Sequence, residues 1–159
     1  IKYKICHIDL TLDASISTLS GTYEALNSIT LQGPLAVDNG LTLELKAPNI
    51  IFKNEDISRY HVTYHLYNEL GESLFAFSHS DVALVKGENQ LSCFFTKNFL
   101  QSGEYFLSIF IIEDRKKCIF HERDIISFIV VDRAREIGGY MGKEPGYIRP
   151  RFKWINTTK

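Results

Sequence analysis

The 159-residue sequence holds no apolar run near the ~18–20 residues that cross a bilayer as a helix. Nothing like a signal peptide opens it. An excess of either charge is also missing. Eighteen Lys and Arg stand against nineteen Asp and Glu, a formal net charge of −1, with the bases scattered apart from Arg149, Arg151 and Lys153. That balance argues against a strongly electrostatic partner, so no nucleic acid is expected. Cysteine is scarce: Cys6, Cys93 and Cys118 lie far apart with no Cys-x-x-Cys spacing. The odd, unpatterned set reads as reduced thiols and favours a cytosolic compartment over a disulfide frame. Internal repeats and low-complexity linkers are lacking, and so is any stretch of about a dozen residues with apolar spacing of three and four. The first residue is Ile1 and the sole methionine is Met141. The expectation is one domain spanning residues 1–159, excised from the C-terminal part of a longer chain.

What is present is alternation with a period of two. From Ser58 to Asn68, Tyr60, Val62, Tyr64 and Leu66 fall on one side. Arg59, His61, Thr63, His65 and Tyr67 fall on the other. Alternate side chains of a strand face opposite ways, so this pattern predicts one buried and one wet face. Asn68-Glu69-Leu70-Gly71 supplies turn chemistry before a returning strand at Leu74–Phe77. Gly87 opens a strand with Leu91, Cys93 and Phe95 inward and Gln90, Ser92, Phe94 and Thr96 outward. A short helical or turn segment around Asn98-Phe99-Leu100 ends at Gly103. Strands follow at Glu104–Asp114, ending in the charged tip Asp114-Arg115-Lys116-Lys117, and at Asp124–Asp132. Earlier strands are expected at Lys2–Leu12, within Thr22–Leu31, and at Leu41–Phe52 with a break at Pro48. Gly138–Gly146 reads as a loop, with a last extended segment over Ile148–Trp154. Many short strands with regular turn signals predict an all-β sandwich.

Two strands are apolar on both sides. Tyr105, Leu107, Ile109 and Ile111 are backed by Phe106, Phe110 and Ile112, and Ile126, Phe128 and Val130 by Ile125, Ile129 and Val131. Strands of this kind are covered on both faces. One sandwich gives a single cover; the other must come from the tail, a partner subunit or a ligand.

Chemistry-bearing constellations are few. His61 and His65 would chelate a metal on a helix, but on a strand they stand roughly 13 Å apart, so no metal is expected. A sugar-contact strip fits better. Arg59, His61, Thr63, His65 and Tyr67, extended by Gln90, Ser92 and Phe94, offer flat apolar rings edged with hydrogen-bonding groups. Gly138-Gly139-Tyr140-Met141-Gly142 lacks the lysine and the strand–loop–helix setting of a phosphate loop. Glu113-Asp114 and the pair Glu122 and Asp124 read as solvated strand ends. Cys6 and His7, adjacent on a strand, point apart, and no Gly-x-Ser-x-Gly elbow occurs. Asn156-Thr157-Thr158 matches a glycosylation acceptor that matters only in a secreted protein. Neither catalysis nor a cofactor is expected.

Tyr64-x-Leu66-x-Asn68-x-x-Gly71, then Leu74-Phe75, then Leu100-x-x-Gly103-x-Tyr105-x-Leu107 resembles the C-terminal domain of Wzt-type ATPase subunits of polysaccharide ABC transporters. Ile126-Ser127-Phe128-x-Val130, a Gly-rich loop and Gly146-Tyr147-Ile148-Arg149-Pro150-Arg151-Phe152-Lys153-Trp154 extend the likeness. It covers about Val37 to Trp154. The resemblance implies an immunoglobulin-like antiparallel β-sandwich in the cytoplasm, peripheral to the inner membrane. It also implies an ATPase domain ahead of it that would dock the transmembrane permease subunit. Such domains recognise O-antigen polysaccharide for export and tend to form homodimers through the C-terminal strand. With the doubly apolar strands, this predicts an interface of Phe106, Phe110, Ile125, Ile129, Phe152 and Trp154. The rival readings are a dimerisation domain that touches no sugar and a sandwich-fold enzyme acting on carbohydrate.

Overall fold

The computed structural model describes residues 1–5, 7–18, 35–80, 82–132, 142 and 144–156. They form two β layers over one core, the sandwich expected from the alternation. The first layer contains β1 (Lys2–Ile5), β2 (Ile8–Thr11), β3 (Ser15–Thr18), β5 (Leu43–Lys46), β6 (Asn49–Phe52), β9 (Gly87–Asn89) and β10 (Ser92–Phe95). The second is a five-stranded sheet. Its spatial order is β4 (Leu35–Asp38), β12 (Lys117–Val131), β11 (Gly103–Glu113), β7 (Tyr60–Asn68) and β8 (Ser73–Ser78).

The first layer is kinked along one line. It divides into β1-β2-β6-β9 and β10-β5-β3, because three successive strand pairs break at the same level. Thr11 opposes Asn49 on one side of the break, and Ser15 opposes Lys46 on the other. The cause lies at Pro48, which has no amide hydrogen to give a ladder. Across the gap Ala47 N donates to Leu91 O (2.8 Å) and Asn49 N to the Asp13 carboxylate (2.9 Å). The strand expected to run unbroken from Gly87 is therefore two, in different halves of the layer. Lys2–Leu12 is likewise a hairpin, β1–β2, with His7 in its turn rather than on a strand.

β7 alternates as expected: Tyr60, Val62, Tyr64, Leu66 and Asn68 are buried, and the residues between them half-exposed. Fully burying an apolar side chain contributes roughly 1.5–3 kcal/mol. The inward rows of β7, β11 and β12 therefore supply much of the core, with Tyr105, Leu107, Ile109 and Ile111 inaccessible and Phe128 stacked on Tyr105. The Asn68 side chain fixes the β7–β8 turn by accepting from Leu70 N and Glu72 N, and Gly71 adopts φ +76°. One pairing departs from an all-antiparallel sandwich, because β4 runs parallel to β12.

β12 starts at Lys117, seven residues before the expected Asp124, and carries two register shifts. The last segment is tied to the body through Ile148 and Arg149. Leu100 bridges to Ile148, Arg149 N donates to Phe99 O (2.8 Å), and the Arg149 guanidinium bonds Glu144 and Asp132. Residues 151–156 are exposed and lie outside the strands, so the strand expected over Ile148–Trp154 is a single bridge followed by an arm. The strand expected within Thr22–Leu31 and most of the Gly-rich loop lie outside the described residues.

Candidate functional site on the outer face of the five-stranded sheet

Strand register assembles this face from three chains of alternating residues. Tyr67 lies opposite Phe106, His65 opposite Ser108, Thr63 opposite Phe110 and His61 opposite Ile112. On the far side of β11, Phe110 faces His121 and Phe106 faces Ser127. Aromatic rings therefore meet across strands as well as along one. His65 leans on the Phe110 ring at 4.4 Å between centroids, and His121 stacks on it at 4.1 Å and 10°. Tyr67 continues the row, with its hydroxyl 3.4 Å from His65 Nδ1.

A bulge in β12 shapes the middle of this surface. Ile126 pairs with Leu107 and Glu122 with Ile109, leaving Arg123, Asp124 and Ile125 opposite Ser108 alone. Asp124 takes φ +51° and its amide points at Ser108 Oγ, 3.4 Å away. Ser108 is fully buried although its neighbours on this face are half-exposed. The bulge sends Arg123 toward β7, where its guanidinium lies 5.9 Å from the Tyr67 ring centre. A bulge that re-aims a side chain is a recurrent device beside binding sites. Glu122 and Asp124, expected at a strand end, are mid-strand, Glu122 beside the bulge and Asp124 within it; Glu122 accepts from the Tyr3 hydroxyl at 3.2 Å.

The sequence-predicted sugar strip is only partly assembled. His61, Thr63, His65 and Tyr67 share the face, all half-buried. Arg59 precedes the strand, in the short 3-10 turn Ile57–Arg59. Its guanidinium is held by both oxygens of Asp114 (2.9 and 2.7 Å) and by Glu113 (3.2 Å). Glu113 and Asp114 thus stand at the hairpin end as expected, with Asp114 exposed, and there they clamp Arg59. Gln90, Ser92 and Phe94 do not extend the strip. They belong to the kinked layer, where Phe95 turns inward onto Phe77 (5.5 Å) and Phe94 therefore outward, away from the five-stranded sheet. Ser92 Oγ is spent on Glu44 (2.8 Å).

Three of the residues predicted for dimerisation share the surface of the sugar strip: Phe106, Phe110 and Ile129 are half-buried, and Phe110 is the centre of the aromatic row. Ile125, inside the bulge, instead packs against the core. Phe152 and Trp154 belong to none of its strands; they stand in the arm, 72% and 89% exposed.

Sequence reasoning missed His121, Arg123, His79 and Arg115. His121 faces outward because it pairs with Phe110. It lies before Asp124, the expected start of the strand, so the expected alternation does not reach it. His79 follows β8 and approaches His61 at 5.2 Å; with Arg59 and Arg115 they line a cleft at the hairpin end of the face. Partial burial, His79 and Arg115 together lower the His61 pKa. Burial raises the Cys93 thiol and the Tyr64 hydroxyl, which has no hydrogen-bond partner among the described atoms. Among the described residues no three His, Cys, Asp or Glu are grouped to hold a metal ion.

No protein-family model matches this chain. No curated protein matches it either. Among solved structures it is similar to the crystal structure of the C-terminal domain of Wzt, at 13% identity and a TM-score of 0.57, over 92% of this chain and 88% of that one. The sandwich is therefore of the same fold as the Wzt C-terminal domain.

Proposed function

We propose that this domain is a non-catalytic module that recognises O-antigen polysaccharide, with the outer face of the five-stranded sheet as its binding surface. The observation that carries the reading is the row Tyr67–His65–Phe110–His121, with Arg123 aimed at it from a bulge. Pyranose rings present C–H patches that pack on such rings, while their hydroxyls take hydrogen bonds from imidazole, phenol and guanidinium edges. Its fold, shared with the Wzt C-terminal domain, supports a place in polysaccharide export. In that role the domain works in the cytoplasm at the inner membrane, behind an ATPase domain that docks the permease subunit. Arg59 contributes by holding the hairpin tip, and Gln90, Ser92 and Phe94 lie apart from this surface.

The test is Phe110→Ala with light scattering and polysaccharide titration side by side. Removal of a central contact residue lowers affinity by about 1–3 kcal/mol, while the molar mass stays as in the parent chain.

A second reading makes the same face a homodimer contact, with Phe106, Phe110 and Ile129 covered by a second copy and no sugar bound. It is favoured by the exposed Phe152, Trp154 and Ile155 of the arm, apolar side chains that a partner would cover. Under that reading Phe110→Ala lowers the molar mass, and the parent chain has no affinity for polysaccharide.

A further inference from the structure

We propose that the cleft at the hairpin end of this face, between His61, His79 and Arg115, binds an oxyanion carried on a sugar, either a carboxylate or a phosphate. The sugar rests on the glycan reading above; the anion rests on the cleft itself. Three elements converge there: β7 brings His61, the segment after β8 brings His79, and the β11–β12 hairpin tip brings Arg115. No carboxylate is among the described residues lining it. Among the described residues, the neighbouring carboxylates Glu113 and Asp114 are engaged by Arg59, and Arg115 has no acidic partner; Asp81 lies outside the described residues.

The hydrogen bonding of His79 points the same way. Its Nδ1 lies 2.9 Å from the carbonyl oxygen of Val82, so this nitrogen carries the proton and donates. Nε2 is shielded from solvent and has no partner among the described atoms. A shielded ring nitrogen of this kind is costly to leave unpaired. Protonated, it becomes a donor that an oxyanion can satisfy. Partial burial, then the proximity of His79 and Arg115, lowers the His61 pKa, and a bound negative charge would oppose that shift. An oxyanion has several acceptor oxygens and so can answer two imidazoles and a guanidinium together, which a neutral hydroxyl cannot. His61 also begins the outward row of β7 that reaches Tyr67, about 20 Å along the strand. The cleft and the aromatic row thus lie on one path, the length of a short oligosaccharide.

The test is calorimetric titration of the chain with glucuronic acid, glucose 1-phosphate and glucose at pH 6 and pH 8. At pH 6 an acidic sugar should bind about tenfold more tightly than glucose, with the margin shrinking at pH 8 as the anion-bound His61 imidazole loses its proton. Preference for glucuronic acid alone identifies a carboxylate, for glucose 1-phosphate alone a phosphate, and for both a site that reads charge. Arg115→Gln and His79→Gln should each erase most of the preference. In the parent chain the His61 and His79 imidazole resonances should shift on titration, a readout that needs no variant. Equal affinity for the three sugars, undetectable binding of all three, or a preference that survives Arg115→Gln in a folded variant would overturn the proposal. Should Phe110→Ala leave polysaccharide binding unchanged while acidic sugars still bind the cleft, the aromatic-row reading fails and the anion site stands.

Discussion

Arg59 and Phe110 show why a side chain's partners matter more than its type. Arg59 is committed to Asp114 and Glu113, and the Arg59 carbonyl accepts from Asp114 N (2.8 Å). It closes a turn in which Asp114 and Arg115 both adopt positive φ, 51° and 55°, a backbone that favours Gly or Asn. Arg59→Ala should therefore speed amide exchange at residues 113–117 more than in the core strands. The Asp114 pKa is lowered, first by its hydrogen bond to Arg59. A depressed carboxylate stabilises above its unfolded pKa, near 3.9, and loses that contribution as pH falls through the folded value. The clamp should thus hold at pH 5 and release in stronger acid, read by the same exchange experiment. His61 behaves oppositely in kind, as a base whose folded pKa is lowered by burial and by neighbouring His79 and Arg115. Its unfolded form takes up the proton first, so stability declines as pH drops from about 6.5 through the folded value. The melting temperature of the ligand-free chain should fall across that window, and His61→Gln should flatten the fall.

At the level of elements, β11 is the axis of the molecule, paired along its length with β7 and β12 and apolar on both faces. Ile109→Ala, at a fully buried position, should cost about 2–5 kcal/mol in chemical denaturation. Tyr105 joins this strand to the C-terminal segment by donating to Gln101 O (2.8 Å) and Tyr147 O (3.2 Å). Tyr105→Phe keeps the ring stack and removes that bond, so a loss of about 1 kcal/mol is expected. The bulge in β12 belongs to function in the glycan reading. Deleting Asp124 and Ile125 would restore one-to-one pairing opposite Ser108 and withdraw Arg123 from Tyr67. A folded, β-rich variant with unchanged polysaccharide affinity would show that the bulge plays no part in binding.

For the whole molecule, the arm beyond Arg149 decides what the domain does with its own copies. The body holds the chain through Ile148 and Arg149 and then leaves Phe152, Trp154 and Ile155 more than two-thirds exposed. An arm rich in exposed apolar groups fits association with a second copy. The parent chain should sediment as a dimer, and Phe152→Ala with Trp154→Ala as a monomer of unchanged melting profile. A monomeric parent at high concentration would remove dimerisation from the account and leave the outer sheet face to ligand alone.

Alternation along the chain is a local property, so the sequence by itself determined the sandwich, the inward rows of β7 and β11 and the outward placement of His61, Thr63, His65 and Tyr67. The turn at Asn68–Gly71 and the break at Pro48 were legible for the same reason, since one side chain or one missing amide hydrogen produces each. The bulges were not legible: Lys117–Ile125 mixes charge and apolar residues without a steady period, and its register depends on β11 across the ladder. The halving of Gly87–Phe95 was hidden too, because that kink is imposed by Pro48 on a neighbouring strand. Only the tertiary structure could therefore set His121 against Phe110, bring Arg123 to Tyr67, carry Phe94 to the opposite side and tie Arg59 to Asp114. Each of these joins residues far apart in sequence, whose meeting is fixed by strand register and layer packing rather than by local pattern.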